Sequence, residues 1–204
     1  MNSSDNKNHW ENVYETKSPD QVSWTQKKPQ TSLNFINSFG LGKEARIIDI
    51  GGGDSNLVDF LLEEGYENIT VLDISAKALE KAQQRLGKKA DKVKWIATDI
   101  TTFEPIETYD IWHDRAAFHF LTTQEQIAKY IDIAEKNINS FMVLGTFSKN
   151  GPTKCSGLDI QQYDEASISE KFRQSFEKIL CTTEDHTTPF ETTQNFIFCS
   201  FKKH

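Results

Sequence analysis

The apolar run Arg46-Ile-Ile-Asp-Ile50 ends directly on Gly51-Gly-Gly53, and twenty residues beyond Gly53 a second run, Ile69-Thr-Val-Leu, ends on Asp73. Both runs have the length of a buried strand. Glycine is needed where the chain turns sharply from strand to helix and where backbone must approach a ligand closely. An acid closing the next strand is placed to accept hydrogen bonds from ribose hydroxyls. Strand, glycine turn, helix and strand with a terminal acid form a βαβ unit open to a nucleoside-bearing ligand.

The rest of the sequence extends that unit. Helical spacing appears at Leu57 to Glu64, stopped by Gly65, and from a Ser75 N-cap through Leu86, with Leu79, Ala82 and Leu86 on one stripe. Val93 to Ile100 reads as a third strand carrying Asp99, Tyr109 to Asp114 as a fourth, Thr123 to Asn137 as a helix and Ser140 to Phe147 as a fifth strand. Such alternation predicts a parallel sheet covered by helices on both faces. A polar loop, Ser148 to Tyr163, follows, and then a short helix from an Asp164 cap through Arg173. Phe176 to Thr183 and Asn195 to Phe201 are strands whose connection has no helical pattern, so they are expected as an antiparallel hairpin. Before the first strand, His9 to Tyr14 and Thr31 to Phe39 are short helices flanking the Pro-bounded segment around Val22-Ser-Trp24. The expected fold is α/β, a three-layer sandwich, in a single domain over 1–204: an N-terminal helical lid over 1–40 and the layered core over 41–204.

Composition narrows the function. A net charge of −7 lacks the basic face that nucleic acid requires. The densest basic cluster, Lys88, Lys89, Lys92 and Lys94, falls between a helix and a strand and reads as a solvated loop. No apolar run approaches the roughly 20 residues of a membrane span, and the polar N-terminus lacks the apolar core of a secretory signal. The expectation is a cytoplasmic protein with no nucleic-acid or membrane partner. Three widely spaced cysteines, Cys155, Cys181 and Cys199, suggest no disulfide framework, and neither they nor the five histidines show metal spacing.

Two nucleoside cofactors compete for the glycine turn. A dinucleotide site wants a third glycine where Asn56 stands, and Asp54 would set negative charge beside a pyrophosphate. S-adenosylmethionine has no phosphate, and its ammonium and sulfonium suit a rim containing Asp49 and Asp54. The chain resembles the class I S-adenosylmethionine-dependent methyltransferases over roughly Arg46 to Phe201. Asp49, Gly51 and Gly53 match the family's first motif, with Gly52 between them and Ser55 where a third glycine often stands. Asp73 matches its ribose acid, with Ile74 beside it. Asp99, with Ile100, matches its adenine-side acid, Asp114-Arg-Ala-Ala-Phe-His119 its motif after the fourth strand, and Asn195 to Phe201 its closing antiparallel strand. The resemblance implies a Rossmann-like fold with a mostly parallel seven-stranded sheet and S-adenosylmethionine as cofactor. His9-Trp10, Tyr14 and Val22-Ser-Trp24 resemble the lid of thiol- and thiopurine-type enzymes.

Methyl transfer asks the protein to align a nucleophile, exclude water and, where needed, remove a proton. Asp114 ends the fourth strand and either faces the pocket, towards cofactor or substrate, or caps the following turn. His119 is the general-base candidate by its ordinary imidazole pKa, or else a packed histidine between Phe118 and Phe120. Arg115 either binds an anionic substrate or forms an internal ion pair. Trp24 closes over cofactor or substrate, or docks on the sheet. Cys155, in the loop expected to overhang the pocket, has no evident thiolate stabiliser. The acceptor is expected to be a small molecule. A protein lysine acceptor, a non-catalytic cofactor-binding module and, more distantly, a nicotinamide-dependent oxidoreductase remain the alternatives.

Overall fold

The structure, a computed structural model, describes residues 3–204. In chain order the elements are α1 (Ser3–Thr16), α2 (Gln30–Ser38), β1 (Arg46–Ile50), α3 (Leu57–Glu63), β2 (Asn68–Asp73), α4 (Ala76–Leu86), β3 (Val93–Ala97), β4 (Tyr109–Arg115), α5 (Gln124–Asn137), β5 (Ile138–Phe147), β6 (Lys154–Cys155), β7 (Leu158–Asp159), α6 (Glu165–Phe172), β8 (Phe176–Thr187) and β9 (Thr193–Lys203). The main sheet has seven strands in the order β3-β2-β1-β4-β5-β9-β8. Strands β1 to β5 pair in parallel, and β9 enters antiparallel between β5 and β8. This is the expected α/β Rossmann-like architecture with its reversed C-terminal hairpin.

The period-two placement of strand side chains divides the core. Ile48, Leu72, Trp112 and Met142 point to one face and pack with α5 and α6 through Ile127, Tyr130, Ile168 and Phe172. Ile47, Val71 and Ile111 point to the other and meet Leu33 and Ile36 of α2, Leu57 and Leu61 of α3, and Leu79 of α4. Strands buried on both faces explain why the sequence shows continuous apolar runs there rather than alternation.

Several boundaries differ from expectation. β3 stops at Ala97, not Ile100, because Asp99 accepts from the Thr101 backbone N–H at 2.8 Å and starts a 3-10 turn over Ile100–Thr102. The loop after β5 contains a small hairpin, β6–β7, whose turn residues Ser156 and Gly157 both have positive φ (50° and 80°), as a two-residue hairpin turn requires. β8 runs on to Thr187 and β9 starts at Thr193, where polar residues leave no apolar alternation to mark a strand. α1 is longer than the predicted His9–Tyr14 because polar residues extend it at both ends. The cysteine expectation is also corrected: Cys181 and Cys199 face each other across the β8–β9 ladder and form a disulfide, while Cys155 is free and buried. Their pairing follows from the hairpin register, which cysteine counting does not contain.

Asp114 settles into the core rather than at an open strand end. It is fully buried, accepts the backbone N–H groups of Ala117 and Phe118, both at 3.1 Å, and receives the Tyr130 hydroxyl at 2.9 Å. Trp112 in turn donates its indole N–H to that hydroxyl at 2.9 Å. Burial pushes the Asp114 carboxyl up to about 6, against the opposing pull of these hydrogen bonds. The network pins the turn after β4 to α5. Replacing Asp114 by Ala strands two buried N–H groups and a hydroxyl. Urea unfolding of Asp114→Ala is expected to show a loss of about 2–4 kcal/mol. An unchanged unfolding midpoint would contradict this structural role.

Candidate active site

Parallel pairing brings the strand ends to one edge. Asp49 of β1 aligns with Val71 of β2 and His113 of β4, so Asp49, Asp73 and the turn after β4 surround one crevice. A cavity of about 230 Å³ opens there. Its floor is Asp49, Ile50, Gly51 and Gly52. Asp73, Ile74, Asp99 and Ile100 line it together with Tyr14, and Trp10, Trp24, Phe120, Phe147, Arg115 and Cys155 complete its wall. Gly53, Asp114 and His119 are not among the lining residues.

The glycine turn is tight for identifiable reasons. Gly51 has φ +65°, and a Cβ there would sit 2.6 Å from the Ala117 methyl. A Cβ on Gly52 would lie 2.6 Å from Asp49 Oδ2 and fill the space above that carboxylate. The turn is thus bare backbone laid against a buried acid. Asp49 is 3% exposed, and its Oδ1 lies 2.7 Å from His113 Nδ1, while His113 Nε2 lies 2.8 Å from the Ser32 hydroxyl of α2. His113 and Ser32 also line the cavity. Neither was found from sequence, because the match of Asp49 with a residue 64 positions later exists only once β1 and β4 are in register.

Asp73 is 6% exposed and accepts the Ser75 N–H at 2.8 Å. Burial is the chief cause that raises its carboxyl to about 7, with the nearby Asp49 charge adding and the Ser75 and Gly53 N–H groups opposing. Gly53 lies beneath it: a Cβ there would be 2.9 Å from Asp73 Oδ2 and 3.0 Å from the Tyr14 hydroxyl. Asp99 keeps one oxygen on Thr101, by both N–H and hydroxyl at 2.8 Å. Asp54 faces Arg85 of α4, which also reaches Asp59 at 2.9 Å. Its charge is therefore countered, and the sequence argument that Asp54 repels phosphate loses force.

The N-terminal segment covers the crevice. Glu11 of α1 accepts the Ser75 hydroxyl at 2.8 Å and the backbone N–H groups of Ala76 and Lys77, both at 3.0 Å, so it caps α4 from another element. Burial works to raise the Glu11 pKa, but these hydrogen bonds prevail and hold it below its usual value. Trp10 packs edge-on against Trp24 (5.6 Å between centroids) and Phe120 (5.1 Å), and Tyr14 against Trp24 (6.2 Å). Asn56, the residue at the missing glycine position, ties the segment around Trp24 down by donating to the Gln26 carbonyl at 2.9 Å. Trp10 and Tyr14, at helical spacing on α1, both stand on the cavity wall.

His119 lies elsewhere. It is fully buried, stacked on Phe147 at 4.5 Å, and its Nδ1 accepts the Phe147 N–H at 3.4 Å. Burial first, then the Arg115 charge, lowers its pKa to about 3, so it is a neutral packed ring. Cys155 is buried, and burial raises its thiol to about 11, so no thiolate forms there near neutrality.

The fit to S-adenosylmethionine is tested by these donors and acceptors. Asp49 beneath bare glycine backbone could meet an ammonium, Asp73 could accept from ribose hydroxyls, and Asp99 with Ile100 could flank an adenine ring. An acid-lined crevice of this kind suits a phosphate-free cationic nucleoside. Residues 47–137 match the methyltransferase-domain family. The chain is 35% identical over 125 residues to a malonyl-[acyl-carrier protein] O-methyltransferase of Anoxybacillus flavithermus, a match spanning 58% of this chain and 47% of that one. It thus spans about half the length of this curated relative. In fold it is similar to an S-adenosylmethionine-dependent methyltransferase of Anabaena variabilis (TM-score 0.78, 14% identity, covering 100% and 96% of the two chains). It is likewise similar to the N-methyltransferase NodS of Bradyrhizobium japonicum in complex with S-adenosylhomocysteine (TM-score 0.72, 16% identity, 95% and 97%). Residues 47–137 thus carry the methyltransferase-domain match, and the chain has the fold of these S-adenosylmethionine-dependent methyltransferases.

Proposed function

We propose that the chain transfers a methyl group from S-adenosylmethionine to a nucleophilic atom of a small-molecule acceptor held under the aromatic lid. The carrying observation is one cavity with an acid-lined strand-end half and an aromatic half closed by α1 and the Trp24 segment. The likeness of that lid to thiol- and thiopurine-type enzymes belongs to this reading and rests on Trp10, Tyr14 and Trp24. A cavity partly roofed by Trp10, Trp24 and Phe120 favours an acceptor that fits inside it over a lysine presented from a protein surface.

The cofactor supplies an already activated methyl on a sulfonium. The work left to the chain is alignment and exclusion of water. Asp73 holds the ribose hydroxyls, Asp99 and Ile100 the adenine edge, and Asp49, oriented by His113, the ammonium. Trp10, Trp24 and Phe120 keep water from the acceptor side. With His119 and Asp114 turned into the core, the reading needs an acceptor whose nucleophilic atom has a free lone pair or loses its proton readily.

Calorimetry with S-adenosylmethionine, followed by detection of S-adenosylhomocysteine with a fractionated metabolite extract, tests the proposal. Binding without product on any fraction would leave a non-catalytic binding module. The Asp73 carboxyl gives a sharper test. Ribose hydroxyls donate to the ionised form, and the group titrates near 7. Affinity for the cofactor is therefore expected to fall as pH falls through that value, by about tenfold per unit below it, and to level off above it. Asp73→Asn should flatten this profile and weaken binding about 10- to 100-fold at high pH; a pH dependence surviving in the variant would assign it elsewhere. Losing the Glu11 cap on α4 should loosen the lid. Glu11→Ala is expected to raise the cofactor Kd about fivefold, the equivalent of about 1 kcal/mol, with faster dissociation in stopped-flow measurements.

A further inference from the structure

Arg115 is a buried cation whose hydrogen bonding is incomplete. Its Nη1 donates to the Trp24 carbonyl at 3.0 Å, and its guanidinium carbon lies 4.8 Å from the centre of the Phe196 ring. Nε and Nη2 are both buried and, among the described residues, have no hydrogen-bond partner. No carboxylate among the described residues comes within ion-pair distance of it. Glu184 acts on it only at longer range, with Oε1 taking the Gln26 amide at 3.3 Å and Oε2 itself buried and unpartnered. Burial lowers the Arg115 pKa only to about 10, so the charge persists at neutrality.

An unpaired buried charge is among the most costly groups a fold can carry. Here the backbone also commits to its placement. Ala116, the next residue, takes a left-handed φ of 68° without being glycine, and its N–H is fixed on the Gly145 carbonyl at 2.8 Å. The two unused donors are the side-on pair of the guanidinium, the edge that grips two oxygens of a planar oxyanion at once. Arg115 lines the cavity on the side away from Asp73 and Asp99, among Trp24, Phe120 and Phe147.

We propose that Arg115 anchors the acceptor: its Nε and Nη2 edge receives a carboxylate or comparable oxyanion on a molecule whose apolar body packs against Trp24, Phe120 and Phe147. This names the substrate class of the site proposed above and rests on that reading. Arg115 holds the acceptor and takes no part in bond making. Its charge gives the anion a partner in a cavity otherwise rimmed by acids, which would repel it.

The test uses the full chain saturated with S-adenosylhomocysteine and titrated with benzoate, inorganic phosphate or benzamide. Heteronuclear NMR of the arginine Nε–H groups reads the result, the Arg115 resonance being the one lost in Arg115→Lys. Benzoate should move that resonance saturably and benzamide should not. Arg115→Gln should bind benzoate at least about 30-fold more weakly while its S-adenosylhomocysteine affinity stays within about threefold. A resonance that ignores both benzoate and phosphate, or follows benzamide equally, overturns the anchor. A parallel methylation panel of acids paired with their amides separates the two proposals. Transfer to amides with no benzoate response removes the anchor and leaves methyl transfer standing. A benzoate response with no transfer to any acceptor removes the transfer reading and leaves the anchor.

Discussion

The Asp49 carboxylate is the joint on which the site turns. It is buried at the end of β1, held by His113 from β4, and covered by glycines that leave it no side-chain neighbour above. Through His113 it also reaches Ser32, so the helix that precedes the core is fastened to the same point. A buried carboxylate is tolerated when each oxygen has a partner. Here one oxygen has the imidazole, and the other lies beneath Gly52, where in the proposed reading it meets the cofactor ammonium. The parallel register of β1 with β2 and β4 then decides the rest: it sets Asp73 to one side and the Arg115 turn to the other.

The N-terminal segment depends on that core for its own order. α1 is mostly polar and makes its firmest attachment through Glu11, which caps α4 next to Asp73. One carboxylate therefore links the N-terminal segment to the helix that follows Asp73. The four unsatisfied N–H groups at a helix start make such a cap favourable, and because it comes from a different element it also fastens α1 over the crevice.

Much of the fold was legible because local rules were strong. The strand-glycine-helix passage at Ile47 to Leu57, the Ser75 cap and the apolar stripe of α5 all state their structure within a few residues. The hairpin at the C-terminus was legible too, though its ends were not, since Glu184 to Thr187 show no apolar alternation. What stayed hidden needed long-range register. The Cys181–Cys199 pair and the Asp49–His113 pair are both cross-strand neighbours, set by the offset of one strand on another. Asp114 and His119 illustrate the converse: their residue types suggested chemistry, but the turn after β4 folds both inward, where Tyr130 and Phe147 meet them. Arg115, next to Asp114 at the end of β4, points the other way because side chains alternate along a strand.

The strand order divides the cavity electrostatically. Asp49, Asp73 and Asp99 give one half the sign that suits an ammonium and a sulfonium, and they also make it hostile to a second anion. Arg115 sits in the other half, buried among rings with little water to screen it, so its field is felt at short range more strongly than that of a surface arginine. A cationic cofactor and an anionic acceptor would then each be drawn to its own end and kept from the other's. The same separation would set the positive methyl donor and a negatively charged acceptor facing each other within one cavity. The orientation needed for transfer would thus follow from where the charges are buried rather than from a dedicated base.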